Sequence, residues 1–154
     1  MKTLRLRKGF QATVLGLYTA GLLALTLLVQ GRPGVRTNLE PFTDLKRMAA
    51  RASRGDVLSN SFVYAVAGAL GNLAMFAIWG FLAWKYLDAP ARSPVRTTLE
   101  VLVVGLLFSL GIETVQFFLP TRAADVNDVF WNALGTIAGA ATALLGRYVE
   151  VEWE

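Results

Sequence analysis

Residues 109 to 135 read SLGIETVQFFLPTRAADVNDVFWNALG, and they decide the fold because an apolar run ends, turns and starts again inside them. A carboxylic acid, Glu113, sits within the first run. Placing an ionisable group at membrane depth costs at least about 2.5 kcal/mol, so such groups face a protein interior or a water-filled cavity. Ser109, Glu113 and Gln116 stand at i, i+4 and i+7, which is one face of a helix. Arg122, Asp125, Asp128 and Asn132 follow at spacings of three, three and four, a second helical stripe across a short turn.

Working outward, four apolar segments approach the roughly 20 residues a helix needs to cross a hydrocarbon core. They run from about Gly9 to Gln30, Ser61 to Trp84, Thr98 to Leu119 and Val129 to Gly146. Such uninterrupted runs must satisfy their own backbone groups in lipid, which predicts helices, and none alternates as a barrel strand does. The 154-residue chain is 55% hydrophobic and only 17% charged, too apolar for an ordinary soluble domain. The expected fold is an all-α membrane protein, a four-helix transmembrane bundle. The first segment also has the basic n-region of a signal peptide, but its apolar stretch is longer than an h-region and no small-x-small site follows Val29. A retained helix is the better reading.

Composition excludes several chemistries. Cysteine and histidine are both absent, which removes thiolate ligands, thiol nucleophiles and the usual general base. The net charge of +4 lies in loops between apolar runs, which reads as membrane-flanking charge rather than a nucleic-acid surface. Lys2, Arg5, Arg7, Lys8, Lys85, Arg92, Arg96 and Arg147, eight in all, fall on the side of the N-terminus. Arg32, Arg36, Lys46, Arg47, Arg51, Arg54 and Arg122, seven in all, fall on the other. With the count so close, the cluster before the first helix decides for N-in and C-in. Helix three then runs outward, with Glu113 about 9 Å below its outer end.

The punctuation adds detail. Thr97 and Glu100 form a T-x-x-E capping box that predicts the start of the third span. In DLKRMAARASRG of the first external loop, Leu45, Met48, Ala49 and Ala52 recur at helical spacing beside Lys46, Arg47, Arg51 and Arg54. That pattern suits a short helix in the membrane interface, or one packed on the bundle. Trp79, Trp84, Trp131 and Trp153 lie mostly near predicted helix ends, as an interfacial belt does. Gly135, Gly139 and Ala143 make a small-residue stripe for close packing within the bundle or for a homo-oligomer.

Each candidate residue also has a plain structural reading. Glu113 would bind a ligand or pair with Arg122. Gln116 and Asn72 would line a cavity or hydrogen-bond between helices. Asp125 as N-cap and Asp128 at N3 would satisfy the start of the fourth helix, or form a binding rim with Arg122 and Asn132. A divalent metal on Glu113, Asp125 and Asp128 is chemically conceivable, yet the spacing does not demand it. No metal or cofactor is expected.

Three groups of residues together resemble the VanZ-like family over about residues 10 to 146. These are NLEPF from Asn38 to Phe42, GNLAMFAIWGFL around Asn72, Phe76 and Gly80, and the set Ser109, Glu113, Gln116, Arg122, Asp125, Asp128, Asn132, Gly135 and Gly139. One departure is Ile78, where family members often carry proline, so the second span should lack that kink. The resemblance implies one polytopic domain in a bacterial cytoplasmic membrane, in a family whose name-giving member is associated with low-level resistance to the lipoglycopeptide teicoplanin.

Under the N-in topology, Asn38, Glu40, Asn72, Ser109, Glu113, Gln116, Arg122, Asp125, Asp128 and Asn132 are expected to line an outward-facing cavity. Its occupant would be a cell-wall lipid or lipidated glycopeptide, with membrane lipids around it. The alternative is an intramembrane enzyme acting on a lipid head group or wall precursor, with Glu113 and Asp125 or Asp128 as acid and base. A transporter or flippase component ranks below both, because the four spans show no inverted repeat.

Overall fold

The structure, a computed structural model, describes residues 8–29 and 37–148. Lys2, Arg5, Arg7, Gln30, Arg32, Arg36 and Trp153 lie outside the described residues. Five helices form: α1 (Lys8–Leu28), α2 (Thr43–Ala52), α3 (Asn60–Leu87), α4 (Pro94–Phe118) and α5 (Val126–Tyr148). All but α2 are long and apolar enough to cross a membrane. Among the described residues there is no strand, only an isolated parallel bridge between Asn38 and Asp125.

The four long helices alternate in direction, so the chain has two ends. At one, here the α2 end, α1 finishes, α3 begins and the turn between α4 and α5 lies. At the other, the terminal end, Arg147 near the C-terminus of α5 pairs with Asp88 after α3 at 2.7 Å. Lys8 at the start of α1 donates to the Tyr86 and Asp88 carbonyls there, each at 2.6 Å.

The bundle is built around the α3–α5 contact, the most extensive in the molecule. Its closeness comes from the small-residue stripe. A Cβ on Gly139 would run into the Ala77 carbonyl, and one on Gly135 into the Leu73 carbonyl, so glycine is what lets α5 lie against the α3 backbone. The stripe is thus consumed within one chain, and its other predicted use, joining two copies, is not available to that face. Beside it, Phe76, Trp84, Val101, Ala140 and Ala143 are almost wholly buried. Outward faces carry Leu17, Leu70, Val103, Leu107 and Leu145, all exposed, as a hydrocarbon surround requires.

Two expectations need correction. The third span starts at Pro94 with Ser93 at the N-cap, not at the Thr97 box. Proline fits the first helical turn because its missing N–H would have no intrahelical partner there. Thr97 is consequently interior, and Glu100 pairs with Arg92 and Arg96, both at 2.9 Å. Trp79 and Trp84 are core residues rather than belt residues. The Trp84 indole donates to the Thr98 hydroxyl at 3.0 Å, and the Trp79 ring stacks on Phe108 at 5.4 Å. Burying a large ring whose N–H has found a partner is worth more to the bundle than an interfacial position. As the absence of proline at Ile78 leads one to expect, α3 runs unbroken through that position for 28 residues.

Candidate functional site

At the α2 end, four segments meet: the loop from residue 37 to 42, the first turn of α2, the C-terminal part of α4 and the start of α5. Backbone bonds clamp the loop to the α4–α5 turn. Asn38 donates its N–H to Ala124 O at 2.9 Å, and Val126 N–H donates to Asn38 O at 3.0 Å. The Asn38 side chain adds bonds to the Asp125 carboxylate at 3.1 Å and to the Thr43 hydroxyl at 2.6 Å.

Asp125 is the hub of this junction. Its Oδ1 accepts the Asn127 N–H at 2.8 Å, which is N-capping of α5 as the sequence suggests. Its own N–H donates to Glu113 Oε2 at 2.8 Å, so the intramembrane acid closes onto the turn that follows it. Asp128 lies beside Asn72 of α3 and close to Asp125 and Asp44. Asn127, passed over in the sequence, is buried at the centre, with Nδ2 on Asp125 at 2.7 Å and on Thr43 at 2.9 Å. The available signal was its place two residues after a capping aspartate, where a polar side chain turns back on the cap.

The expected residues divide. Asn38, Asn72, Glu113, Asp125 and Asp128 come together, joined by Thr43, Asp44 and Asn127. Ser109 and Asn132 meet each other at 2.9 Å, about one helical turn below Glu113. Both are buried, and Asn132 Oδ1 has no partner among the described residues. Gln116 is buried too, but it reaches across to the Thr26 carbonyl of α1 at 2.9 Å, so it ties two helices together. Arg122 donates to the Val29 carbonyl and holds the end of α1; it makes no ion pair with Glu113. Glu40 is exposed, and only its backbone takes part: its carbonyl accepts from Asn127 at 3.4 Å and its N–H donates to Asn38 Oδ1 at 3.2 Å.

Four carboxylates therefore share one end of the bundle, while the ion pairs of Glu113, Asp125 and Asp128 are none among the described residues. Asp44 alone has a cation at the edge of pairing distance, Arg47 at 3.9 Å. No three acids among the described residues are arranged to hold a metal ion. What the arrangement offers is acceptor oxygen and amide groups in excess of donors, at the mouth of a membrane bundle. Asp44 lies outside the spans, and burial first, then the Asp125 charge, hold its carboxyl above the ordinary value against the pull of Arg47.

No curated protein and no solved structure matches the chain. A family model, VanZ/LLP1, matches residues 15–147, a range that takes in the last two-thirds of α1, all of α3 and α4, α5 up to Arg147, and every residue of the junction. With four apolar helices of a multi-pass membrane protein and this match over nearly its whole length, the chain belongs to the VanZ/LLP1 family.

Proposed function

We propose that the acid-rich junction at the α2 end is a binding site, open to the outer face of a bacterial cytoplasmic membrane, for the polar head of a cell-wall lipid or lipidated glycopeptide. The carrying observation is the gathering of Glu113, Asp125, Asp128 and Asp44 without an ion pair on the first three. Acceptors left in excess of donors favour a ligand rich in hydroxyl and amine groups, which is the chemistry of sugar and peptide heads. Asn132, with a buried acceptor unmet, supports the same reading, since a buried polar atom without a partner costs about 1–3 kcal/mol. The lipid tail of such a ligand would lie against the apolar faces of the spans. Shielding or occupying these heads would reduce what a teicoplanin-type antibiotic reaches, which is how such a protein would contribute to resistance.

Binding rather than catalysis is favoured because Glu113 and Asp125 are already engaged in positioning the turn, and the sequence has neither cysteine nor histidine to serve as a nucleophile or its base. The test compares purified chain with its Glu113→Gln and Asp128→Asn variants for retention of lipid-linked wall precursor or teicoplanin in vesicles. Binding should fall about tenfold or more in each, since charge-assisted bonds contribute about 1.5–3 kcal/mol. Undiminished binding by both variants would remove the proposal, and turnover of a labelled precursor would replace it with an enzymatic reading.

A further inference from the structure

At the terminal end, far from the junction, a groove of about 670 Å³ lies between α1, the end of α3 and the end of α5. Its wall carries Phe10 and Val14 of α1 with Phe81 and Leu82 of α3, together with Gln11, whose Oε1 is buried without a partner among the described residues. Its rim carries three cations, Lys8, Lys85 and Arg147, and one carboxylate, Asp88. Arg147 takes that carboxylate at 2.7 Å. Lys8 and Lys85 are left to backbone carbonyls and rings: Lys8 on Tyr86 and Asp88 oxygens, Lys85 on Ala143 O at 3.4 Å and 5.6 Å from the Trp84 ring centre. Both are ammonium groups without an acid partner among the described residues, and both retain unfilled donor capacity.

The depth of this rim follows from helix length. At 1.5 Å per residue, the 28 residues of α3 span about 42 Å, whereas the hydrocarbon core is about 30 Å thick. Centred in a bilayer, α3 projects about 6 Å beyond the core at each end, and Lys85 lies within its last turn. Two ammonium groups without an acid partner among the described residues thus stand at head-group level beside the apolar side chains of the groove.

We propose that this groove binds one anionic phospholipid, its phosphate held by Lys8 and Lys85 at the rim and its acyl chains laid along Phe10, Val14, Phe81 and Leu82. The four apolar side chains beside the rim point to a lipid rather than a soluble phosphate. The site is independent of the junction and of whatever binds there.

The test reconstitutes the full chain in vesicles of equal phosphatidylglycerol and phosphatidylcholine, extracts it into mild detergent and counts retained lipid by native mass spectrometry. The unaltered chain should keep one phosphatidylglycerol in preference to phosphatidylcholine. Lys85→Gln, which breaks no ion pair, and the double variant Lys8→Gln/Lys85→Gln should lose that preference by about fivefold for each ammonium removed. Lys85→Arg should keep it, and Lys46→Gln at the opposite end should leave it unchanged. Equal retention of the two lipids by the unaltered chain, or undiminished preference in both glutamine variants, overturns the proposal. Displacement of the retained lipid by millimolar glycerol 3-phosphate or inorganic phosphate would instead assign the rim to a soluble anion and overturn the lipid reading.

Discussion

At the scale of single residues, Asp125 carries several tasks that would ordinarily fall to different side chains. It caps α5, receives the Asn38 amide and offers its N–H to Glu113. Capping substitutions usually cost about 0.5–2 kcal/mol, and because Asp125→Ala also strands the Asn38 and Asn127 amides, its loss of stability should reach the top of that range. Asp125→Asn, which keeps an acceptor, should lose less; denaturation in detergent micelles orders the two. Asp44 yields a pH prediction. Its folded-state carboxyl is raised, so the folded chain holds that proton more tightly than the unfolded chain does. The stabilising contribution is complete below the ordinary value of 3.8 and is lost as pH climbs through the raised value. Asp44→Asn should flatten that part of the decline in thermal stability with rising pH, and an unchanged slope would contradict the assignment. Phe42 adds a local oddity: at φ 62 it occupies the left-handed region just ahead of α2, with its ring edge-on to Phe130 at 5.4 Å.

Elements show where sequence reading succeeds and where it stops. Glycine at positions 135 and 139 announces a close helix contact, and the structure supplies the partner, the backbone of α3. Because that contact has no slack, Gly139→Val should destabilise the bundle by about 1–3 kcal/mol or more through overpacking. Gly68→Val, on a face with nothing nearby, should change unfolding far less, and the pair can be compared by chemical denaturation in one detergent. Helix existence was plain from four long apolar runs, since lipid forbids other forms. Boundaries were less so. The helix starts earlier than the Thr97 box, at Ser93–Pro94, where proline suits the first turn, and Glu100, no longer at a helix start, pairs locally with Arg92 and Arg96. Trp79 and Trp84 could not be placed by position along the helix, because the rotation that sends a ring inward depends on α4 providing Thr98 and Phe108.

For the whole molecule, the legible part of the junction was the part written in local spacing: Glu113 inside an apolar run, and Asp125 and Asp128 at a helix start. The roles of Asn38, Asn127 and Thr43 depend on a loop meeting a turn far away in sequence, and no periodicity encodes that meeting. The same limit diverted Gln116 and Arg122, which face α1 and were free in a linear reading to join the acids. Orientation belongs to this scale as well. A chain lacking cysteine permits single-thiol labelling at exposed positions. Ser53→Cys and Thr121→Cys should react with an impermeant maleimide from outside intact cells, and Ala91→Cys only after lysis. Ala124 is a poor reporter for the same purpose, being buried at 3% exposure. The reverse labelling pattern would put the acids in the cytoplasm and end the cell-wall reading.

The bridge from Asn38 to the α4–α5 turn also sets an order of events during biosynthesis. Asn38 leaves the ribosome 87 residues ahead of Asp125, an interval of about 4–17 seconds at ordinary elongation rates. Throughout that time the loop has been translated but its docking partner has not, so the junction is among the last parts of the protein to assemble. A nascent chain arrested before residue 124 would carry α1, α2, α3 and all of α4 yet possess no junction, which makes completion of the final hairpin the step that assembles it.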